Sequence, residues 1–461
     1  MITYKDVEKS DKNYEYFIGD TYTLMENAGG SVANSILKEF GSSNKILTVC
    51  GVGNNAGDGL VASTILSATN DVMVYFVKGR ESVKSQQVLK ALSGYRGQVL
   101  EESQFESSLE EADIVLDAIF GSGFNGTPRS PFDEVIKKVN SSGKKIVSVD
   151  VPSALGSEVA IHPFMTVTFT DLKEGMNERN SGKIVIADIG IPEKVFNYAG
   201  PGDFVYYRLP EPDSHKGMNG VVAIVAGWTF YGSGIISARG AVKTGADLVR
   251  VYSNGYNRVV LSSYDPQIIV RPVDGKTPDD IGKSNSILIG PGLGKGQDIS
   301  PILSHLKGYS GVVVVDADGL DLLNLIRREL GNSQIIITPH HGEFERISGT
   351  KPTEKNAIDF SKKFNVIIIL KGPEDLIVFH DKVVRVEGGN PRMTMGGTGD
   401  LLAGETVAIS ARSSSAFESA CMASFLNKTV GDLCYKEKSY WYDVNDMIEK
   451  IPEAIKILLK K

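Results

Sequence analysis

Short β-branched runs alternate with helix-like segments along most of this 461-residue chain. In the first half, we predict strands at residues 45–50, 72–77, 114–119, 145–149, 165–169 and 183–187. Helices are predicted at residues 22–40, 60–67, 83–92 and 132–139. Because strands that alternate with helices build a mainly parallel sheet with helices on both faces, this order predicts an α/β fold.

The alternation restarts in the second half of the chain. There we predict a helix over residues 234–244 and strands at 221–225, 247–252, 286–289, 312–315, 334–338 and 366–370. Residues 312–315 and 366–370 are continuously apolar, which indicates strands buried on both faces. The stretch 196–216 is rich in proline and glycine and predicts a linker plus an edge strand. We therefore predict two α/β domains, at residues 1–205 and 206–461.

Composition narrows the class of protein. The net charge is −7 and no long basic run appears, which argues against nucleic acid as the main partner. The three cysteines, Cys50, Cys421 and Cys434, are too sparse for a disulfide framework and indicate a reducing compartment. No apolar run approaches the ~20 residues that span a bilayer, and residues 1–12 lack the apolar core of a signal peptide. We expect a soluble, cytoplasmic protein without a membrane partner.

A glycine-rich segment follows the first predicted strand. Gly51, Gly53 and Ala56 fit a dinucleotide-binding fingerprint, which is a weak signal by itself. The next strand ends in the basic segment 78–80 instead of the acid that would hold a ribose, so ordinary NAD hydride transfer is disfavoured. Residues 54–59 supply two amides and a carboxylate in a glycine loop, a polar cup for hydroxyls, phosphates or a hard cation.

Two more strands of the first half end in acids. Asp117 closes one strand and is followed by the polar loop 121–127, whereas Asp150 ends another and precedes Ser153. Each acid alone could serve only as a cap or turn residue. Because ligands bind at the carboxyl ends of parallel strands, the three loops together predict one crevice.

The segment 395–404 predicts a second site. Gly396, Gly397, Thr398 and Gly399 precede an apolar helical run, with Asp400 at the junction. Backbone N–H groups and the start of a helix would stabilise a phosphoryl group, and Asp400 could accept a proton from an attacking hydroxyl. The alternative is a glycine-rich helix cap with an incidental acid.

Other polar groups near strand ends remain open. Asp316 and Asp318 are either site residues or turn acids after a buried strand, and His340 is either a site residue or a helix cap. Residues 290–295 approach a Walker loop but lack its spacing and the Ser or Thr after the lysine. The sequence therefore predicts a phosphate-binding site that is not a Walker loop.

Segments 53–59, 117–121, 150–153 and 188–192 resemble the NAD(P)H-hydrate epimerase domain over roughly residues 1–200. The resemblance implies a Rossmann-like three-layer αβα fold, a potassium ion held by Asn55, Asp117 and Ser153, and Asp150 as the acid/base. Ala154 stands where glycine is common. The implied contacts to the hydrated nucleotide are Asn54, Asn55, Ala56, Gly57, Asp58, Gly121, Ser122, Gly123, Phe124, Asn125, Gly126, Thr127 and Asp150.

Residues 210–461 resemble the ribokinase-like NAD(P)H-hydrate dehydratase domain. The resemblance rests on segments 226–227, 231–233, 245–246, 315–318, 338–343, 371–375, 389–391 and 395–404. It implies a ribokinase-like αβα fold, with Asp400 as the catalytic base. The implied nucleotide contacts are Lys371, Gly372, Pro373, Glu374, Asp375 and Gly399, and the implied contacts to the hydrated cofactor are Ser233, Gly294, His340 and Asp400.

Together the resemblances imply a bifunctional repair enzyme for hydrated nicotinamide cofactors, NADHX and NADPHX. It would epimerise the two forms and dehydrate the S form with ADP, or ATP, accompanied by Mg²⁺. A homo-oligomer is expected. The alternative is a ribokinase-like small-molecule kinase whose first domain is a regulatory ligand-binding module.

Overall fold

The computed structural model describes residues 1–273, 278–331 and 333–460. The chain forms two compact units, Met1–Glu193 and Lys194–Lys461. Throughout the described ranges, no helix combines the length and the apolar character needed to cross a bilayer. The cysteines Cys50, Cys421 and Cys434 are all free and buried.

The first unit is built on a seven-stranded sheet with the order β3-β2-β1-β4-β5-β6-β7. Its strands are β1 Lys45–Cys50, β2 Asp71–Phe76, β3 Gln98–Leu100, β4 Ile114–Ala118, β5 Lys145–Val149, β6 Met165–Phe169 and β7 Lys183–Ala187. All neighbouring pairs among these strands are parallel. The accompanying helices are α1 Tyr4–Phe17, α2 Tyr22–Phe40, α3 Asn54–Leu66, α4 Gln86–Gly94, α5 Phe105–Glu111, α6 Phe132–Ser141, α7 Glu178–Ser181 and α8 Glu193–Asn197, which begins at the division between the units.

Both faces of the first sheet are covered, as the residues of β1 illustrate. Leu47 and Val49 belong to the apolar cluster that includes Phe105 of α5 and Ile136 of α6. Thr48, which points to the other face, exchanges a hydrogen bond of 2.7 Å with Ser63 of α3. Alternation along the strand therefore places one helical layer on each side of the sheet.

The second unit contains a nine-stranded sheet with the order β10-β9-β8-β11-β12-β13-β14-β15-β16. The strands are β8 Val221–Val225, β9 Leu248–Ser253, β10 Ile268–Pro272, β11 Ser286–Ile289, β12 Val312–Val315, β13 Gln334–Ile337, β14 Ile367–Leu370, β15 Asp375–Phe379 and β16 Lys382–Val386. Pairing is parallel from β10 to β14, whereas β15 and β16 are antiparallel.

Helices again cover both faces of this sheet. They are α9 Tyr231–Lys243, α10 Arg258–Tyr264, α11 Ser300–Ser304, α12 Leu323–Leu330, α13 His341–Ser348, α14 Glu354–Phe364, α15 Thr398–Ser410, α16 Ala416–Lys438 and α17 Val444–Leu458. Val222 and Ile224 pack in the cluster that contains α9, α15, α16 and α17. Ala223 and Val225 pack in the cluster that contains α11, α12 and α14.

One prediction for the linker is wrong. Residues 196–216 contain no strand, and a 3₁₀ helix occupies Pro201–Tyr206. Only an isolated bridge joins Tyr198 to Arg385. Prolines at 201, 210 and 212 lack the N–H groups that a ladder needs, which explains why pairing does not extend.

Candidate functional sites

A cavity of about 780 Å³ lies in the first unit. Residues that follow β1, β4, β5 and β6 line it, as expected for a parallel sheet. The predicted residues in its wall are Asn54, Asn55, Asp58, Gly121, Ser122, Gly123, Phe124 and Asp150. By contrast, Ala56, Gly57, Asn125, Gly126 and Thr127 are not among the lining residues.

The predicted glycine loop at residues 54–59 is a helix in the structure. Asn54 is the first residue of α3, and Gly53 is its N-cap. A Cβ on Gly57 would lie 2.4 Å from the Cε of Met25, and one on Gly59 would lie 2.5 Å from the Cβ of Ala118. These glycines therefore allow close packing of a helix, whereas the sequence suggested that they make a turn.

Asp117 is the centre of a buried hydrogen-bond network. Its carboxylate accepts hydrogen bonds from the hydroxyl of Ser148, at 2.8 Å, and from the N–H of Ser153, at 3.0 Å. The hydroxyl of Ser153 donates to the second oxygen and accepts a bond from the N–H of Phe120. Burial raises the pKa of Asp117, although the bonds from Ser153 and Ser148 oppose this effect.

Asn55 has a buried side-chain amide, and neither its oxygen nor its nitrogen has a hydrogen-bond partner among the described residues. A Cβ on Gly121 would lie 3.1 Å from the Oδ1 of Asn55, so the absence of a side chain at Gly121 leaves room beside this oxygen. A buried, unsatisfied amide costs about 1–3 kcal/mol, which a bound cation or ligand would recover. The side chains predicted to bind potassium therefore all carry oxygen atoms, and the amide oxygen of Asn55 has no hydrogen-bond partner among the described residues.

Asp150 forms an ion pair inside the cavity. Its Oδ1 lies 3.0 Å from the Nζ of Lys173, and its Oδ2 accepts a hydrogen bond of 3.0 Å from the N–H of Ser122. Only 2% of Lys173 is exposed. Asp150 has φ +65° and Ala154 has φ +61°, so both occupy the left-handed region that disfavours side chains. Glycine would adopt the backbone conformation of Ala154 without this strain.

Sequence reasoning missed helix α1, which contributes Ser10, Asp11 and Glu15 to the cavity. The signal was present as a capping box, because Thr3 and Asp6 exchange hydrogen bonds at the start of the helix. Desolvation and the charge of Asp150 raise the pKa of Asp11 to about 6, whereas Lys173 opposes the shift. Desolvation also raises the pKa of Asp58, with contributions from Asp150 and Asp11.

The second site surrounds the N-terminus of α15. Gly397 is the N-cap residue with φ +95°, and no side chain caps the first turn. Asp400 lies in this turn, and its pKa is raised to about 6 by burial and by the charge of Asp316. The Ser233 hydroxyl and the Lys371 ammonium act in the opposite direction. The free N–H groups and helix dipole make this turn an anion site beside a carboxylate.

Lys371 is the cation of the second site. Its Nζ lies 3.1 Å from Asp316 Oδ1 and 3.8 Å from Glu343 Oε2. Burial lowers the pKa of Lys371, but Asp316, Glu343 and Asp400 outweigh this effect and raise it. A Cβ on Gly399 would lie 3.2 Å from the same Nζ, so Lys371 reaches the start of α15. The sequence left Asp316 open between a site role and a turn role, and Glu343 was absent from the predicted site residues.

His340 caps helix α13. Its Nδ1 accepts hydrogen bonds from the N–H groups of Gly342 and Glu343, at 3.0 and 3.2 Å. The backbone of His340 forms a bridge to Lys371 at the ends of β13 and β14. His340 can therefore be both a helix cap and a site residue, because its ring caps α13 and its backbone lies beside Lys371.

Gly294 has φ +85° in the tight segment after β11, and a Cβ there would lie 2.0 Å from the Oγ1 of Thr229. Its N–H donates a hydrogen bond of 2.9 Å to Asp318. Asp318 therefore stabilises this turn. Only glycine fits the position without moving Thr229.

The predicted nucleotide segment 371–375 is the turn between β14 and β15. Asp375 is buried and accepts hydrogen bonds from the N–H of Gly372, at 2.8 Å, and the hydroxyl of Ser424, at 2.7 Å. Glu374 forms an ion pair with Arg385 at 2.6 Å. Asp375 thus faces the protein interior and holds the shape of the turn.

Comparisons with known proteins cover both units. Residues 222–453 match the family model described as NAD(P)H-hydrate dehydratase, and residues 21–175 match the one described as YjeF-related protein N-terminus. The chain is 34% identical to the bifunctional NAD(P)H-hydrate repair enzyme Nnr of Archaeoglobus fulgidus, over 99% of this chain and 98% of the relative. It is also 34% identical to the enzyme of the same name from Hyperthermus butylicus, over 98% of this chain and 92% of the relative.

A solved structure has a similar fold over part of this chain. A protein of Streptococcus mutans matches 56% of this chain and 98% of its own, with 24% identity and a TM-score of 0.50. The predicted fold class, two α/β domains that each contain a largely parallel sheet between helical layers, is confirmed. Fold and sites together define a two-domain α/β enzyme with a separate site in each unit. The chain belongs to the family of bifunctional NAD(P)H-hydrate repair enzymes.

Proposed function

We propose that this chain repairs hydrated nicotinamide cofactors, with epimerisation of NADHX and NADPHX in the first unit and dehydration of the S form in the second. Family membership supports the pair of activities. The observation that carries the dehydratase assignment is the position of Asp400, in the uncapped first turn of α15 and beside Lys371. This arrangement places a general base, backbone N–H groups that can bind an anion, and a positively charged ammonium next to one another.

Dehydration needs a better leaving group than hydroxide. Asp400 accepts the proton of the C6 hydroxyl, whose oxygen attacks the terminal phosphorus of the nucleotide. The N–H groups at the start of α15 and the ammonium of Lys371 stabilise the charge on the transferred phosphoryl group. Phosphate then leaves C6, a proton leaves C5, and the ring double bond is restored. The nucleotide loses one phosphate, and the products are phosphate and NADH or NADPH.

The nucleotide would lie along the turn after β14, with Lys371, Gly372, Pro373 and Glu374 at its phosphates and Gly399 opposite. Asp375 would act indirectly, because its oxygens hold the turn. Ser233, Gly294 and His340 would contact the hydrated cofactor. ADP is the proposed phosphoryl donor, and Mg²⁺ would enter with it as part of the substrate.

In the first unit, Asp150 is the proposed acid/base for epimerisation. Asn54, Asp58 and the segment 121–124 surround the same cavity and would contact the nucleotide. Ala56 and Gly57 would contribute through the packing of α3, and Asn125, Gly126 and Thr127 would close over bound substrate from the rim. The ion pair with Lys173 holds the carboxylate of Asp150 in place.

A potassium ion is the proposed cofactor of the first unit. Asn55, Asp117 and Ser153 would hold it, because their donors are an amide, a carboxylate and a hydroxyl, all oxygen atoms. The amide of Asn55 without a hydrogen-bond partner supports this assignment. The ion would supply a fixed positive charge that orders the residues around it. It would bring the loop after β4 against α3.

Asp400→Asn tests the dehydratase assignment. In the variant, we expect ADP-dependent dehydration of S-NADHX to fall ~10²–10⁴-fold, because a general base is lost. Asp381→Asn is the matched control, since Asp381 is an exposed partner of Lys362 and lies outside the site. Normal dehydration by Asp400→Asn would remove Asp400 from the mechanism. Accumulation of a phosphorylated substrate without NADH would favour the small-molecule kinase instead, and a parallel assay with ATP decides the donor.

Compartment and assembly are also proposed. Three free, buried cysteines suit a reducing compartment such as the cytoplasm. A homo-oligomer stays a prediction, and sedimentation of the purified full chain would measure it.

A further inference from the structure

Helix α1 brings a carboxylate into the cavity of the first unit that the proposed mechanism does not use. Asp11 lines this cavity together with Asp58 and Asp150. The helix is fixed at its start, because Ile2 forms a backbone bridge to Lys173. The N-terminal ammonium also pairs with Asp171. Asp11 is therefore held in the wall of the cavity. The segment after β6 carries both Asp171 and Lys173, and these two residues anchor the start of α1.

Charged groups from several elements face Asp11. Asp58 of α3 and Asp150 after β5 are negative neighbours, and Lys173 after β6 is a positive one. On α1 itself, Glu8 adds negative charge, while Lys12 and Glu15 line the cavity. Desolvation and the charge of Asp150 raise the pKa of Asp11 to about 6. Asp11 can thus hold or release a proton near neutral pH.

Inversion at C6 needs proton transfer on both faces of the ring. The hydroxyl leaves as water only after it gains a proton, and the lone pair of the ring nitrogen then forms a double bond to C6. Water must add to the opposite face and lose a proton, and the electron pair returns to nitrogen. One carboxyl group on one face would have to serve both sides, whereas two groups from different walls would each serve one.

We propose that Asp11 is the second acid/base of the epimerase and serves the ring face opposite to Asp150. This assignment rests on the proposed epimerase activity. Asp11 donates the proton to the leaving hydroxyl while Asp150 accepts one from the entering water, and the roles exchange in the reverse direction. The two residues come from different elements, since Asp11 lies on α1 and Asp150 lies at the end of β5.

Lys173 is not available for this role. Its Nζ lies 3.0 Å from Asp150, 3.0 Å from the hydroxyl of Thr168 and 2.6 Å from the carbonyl of Phe169. These three acceptors and the carbonyl of Asp171, at 3.3 Å, occupy its three N–H bonds. Asp58 lies on α3 and also lines the cavity, so the test includes Asp58→Asn. Lys173 is thus a positioning residue for Asp150.

The test compares Asp11→Asn with Glu8→Gln in the full chain. Both changes neutralise an acid on α1, but Glu8 lies outside the cavity lining. With pure R-NADHX, we expect the epimerisation rate of Asp11→Asn to fall ~10²-fold or more, with little change in KM. Dehydration of S-NADHX and the melting temperature should stay near wild type, and Glu8→Gln should behave as wild type.

The pH profile separates catalysis from packing. The epimerisation rate of the wild type should change with pH near 6, and Asp11→Asn should lack this change. A loss of packing alone would instead lower the rate by the same factor at every pH. Normal epimerisation by Asp11→Asn, or loss of the change near pH 6 only in Asp58→Asn, would overturn the role of Asp11. If the wild type itself does not epimerise, the proposed function of the first unit fails instead.

Discussion

The Nζ of Lys371 lies 3.1 Å from the Oδ1 of Asp316, and its charge is also felt by Asp400 in the first turn of α15. Asp316 raises the pKa of Asp400, whereas Lys371 lowers it. One buried ammonium thus balances neighbouring acids and keeps a base usable near neutral pH. Lys371 also stands where a transferred phosphoryl group would need positive charge.

Lys371→Met should slow dehydration and move its pH dependence. Asp400 must be ionised to act as a base, so activity of the wild type should rise with pH through about 6, the raised pKa of Asp400. Without Lys371 this pKa rises further, and the limb should shift to higher pH. Lys295→Met, in an exposed loop, is the control. An unchanged limb in Lys371→Met would contradict the coupling.

Asp150→Asn should slow epimerisation ~10²–10⁴-fold and leave dehydration of S-NADHX unchanged, because Asp150 and Asp400 belong to different units. The variant leaves the buried ammonium of Lys173 without its carboxylate and should also lower stability. Asp150→Asn with Lys173→Met should recover stability but not epimerisation. Parallel loss of both activities at normal stability would mean that the two reactions share one site.

Potassium should raise the melting temperature and the epimerase rate of the wild type more than sodium does. Asn55→Ala should remove the difference, because it deletes the buried amide that lacks a hydrogen-bond partner. Asp117→Ala should also remove it, but with a larger loss of stability, since Asp117 binds Ser148 and Ser153. A wild type that responds equally to both ions would exclude the site.

Glu405→Gln should stabilise the protein at alkaline pH. Glu405 is fully buried in α15, and burial raises its pKa to about 8, while Asn427 opposes the shift. The folded state holds a proton that the unfolded chain releases near pH 4.5, so stability falls as pH rises from about 4.5 to about 8. The shift corresponds to a cost on the order of 5 kcal/mol above pH 8, as an upper limit. Thermal melts at pH 5 and pH 8.5 measure it, and an equal effect at both pH values would contradict it.

The alternation of β-branched runs with helix-like segments along the sequence predicted most strands of the two sheets. The predicted strands at 45–50, 145–149, 165–169, 183–187, 221–225, 286–289 and 312–315 have the observed bounds. Apart from the edge strand β7, which is partly exposed, these strands are largely buried, and their β-branched runs leave little choice of structure. The antiparallel strands β15 and β16 were missed, because charged and apolar residues mix along them.

The sequence by itself determined the fold class, the order of the two domains, and the acids that close β4 and β5, because these depend on local pattern and on the geometry of parallel sheets. Only the tertiary structure decided that residues 54–59 form a helix, since Met25 and Ala118 pack where Gly57 and Gly59 lack side chains. The tertiary structure also decided which charged side chains lie close to one another. Asp11, Lys173 and Asp150 are far apart in the chain, as are Asp316, Lys371 and Asp400. Long-range packing alone brings such groups together, and the shifted pKa values of Asp11 and Asp400 follow from that proximity and burial.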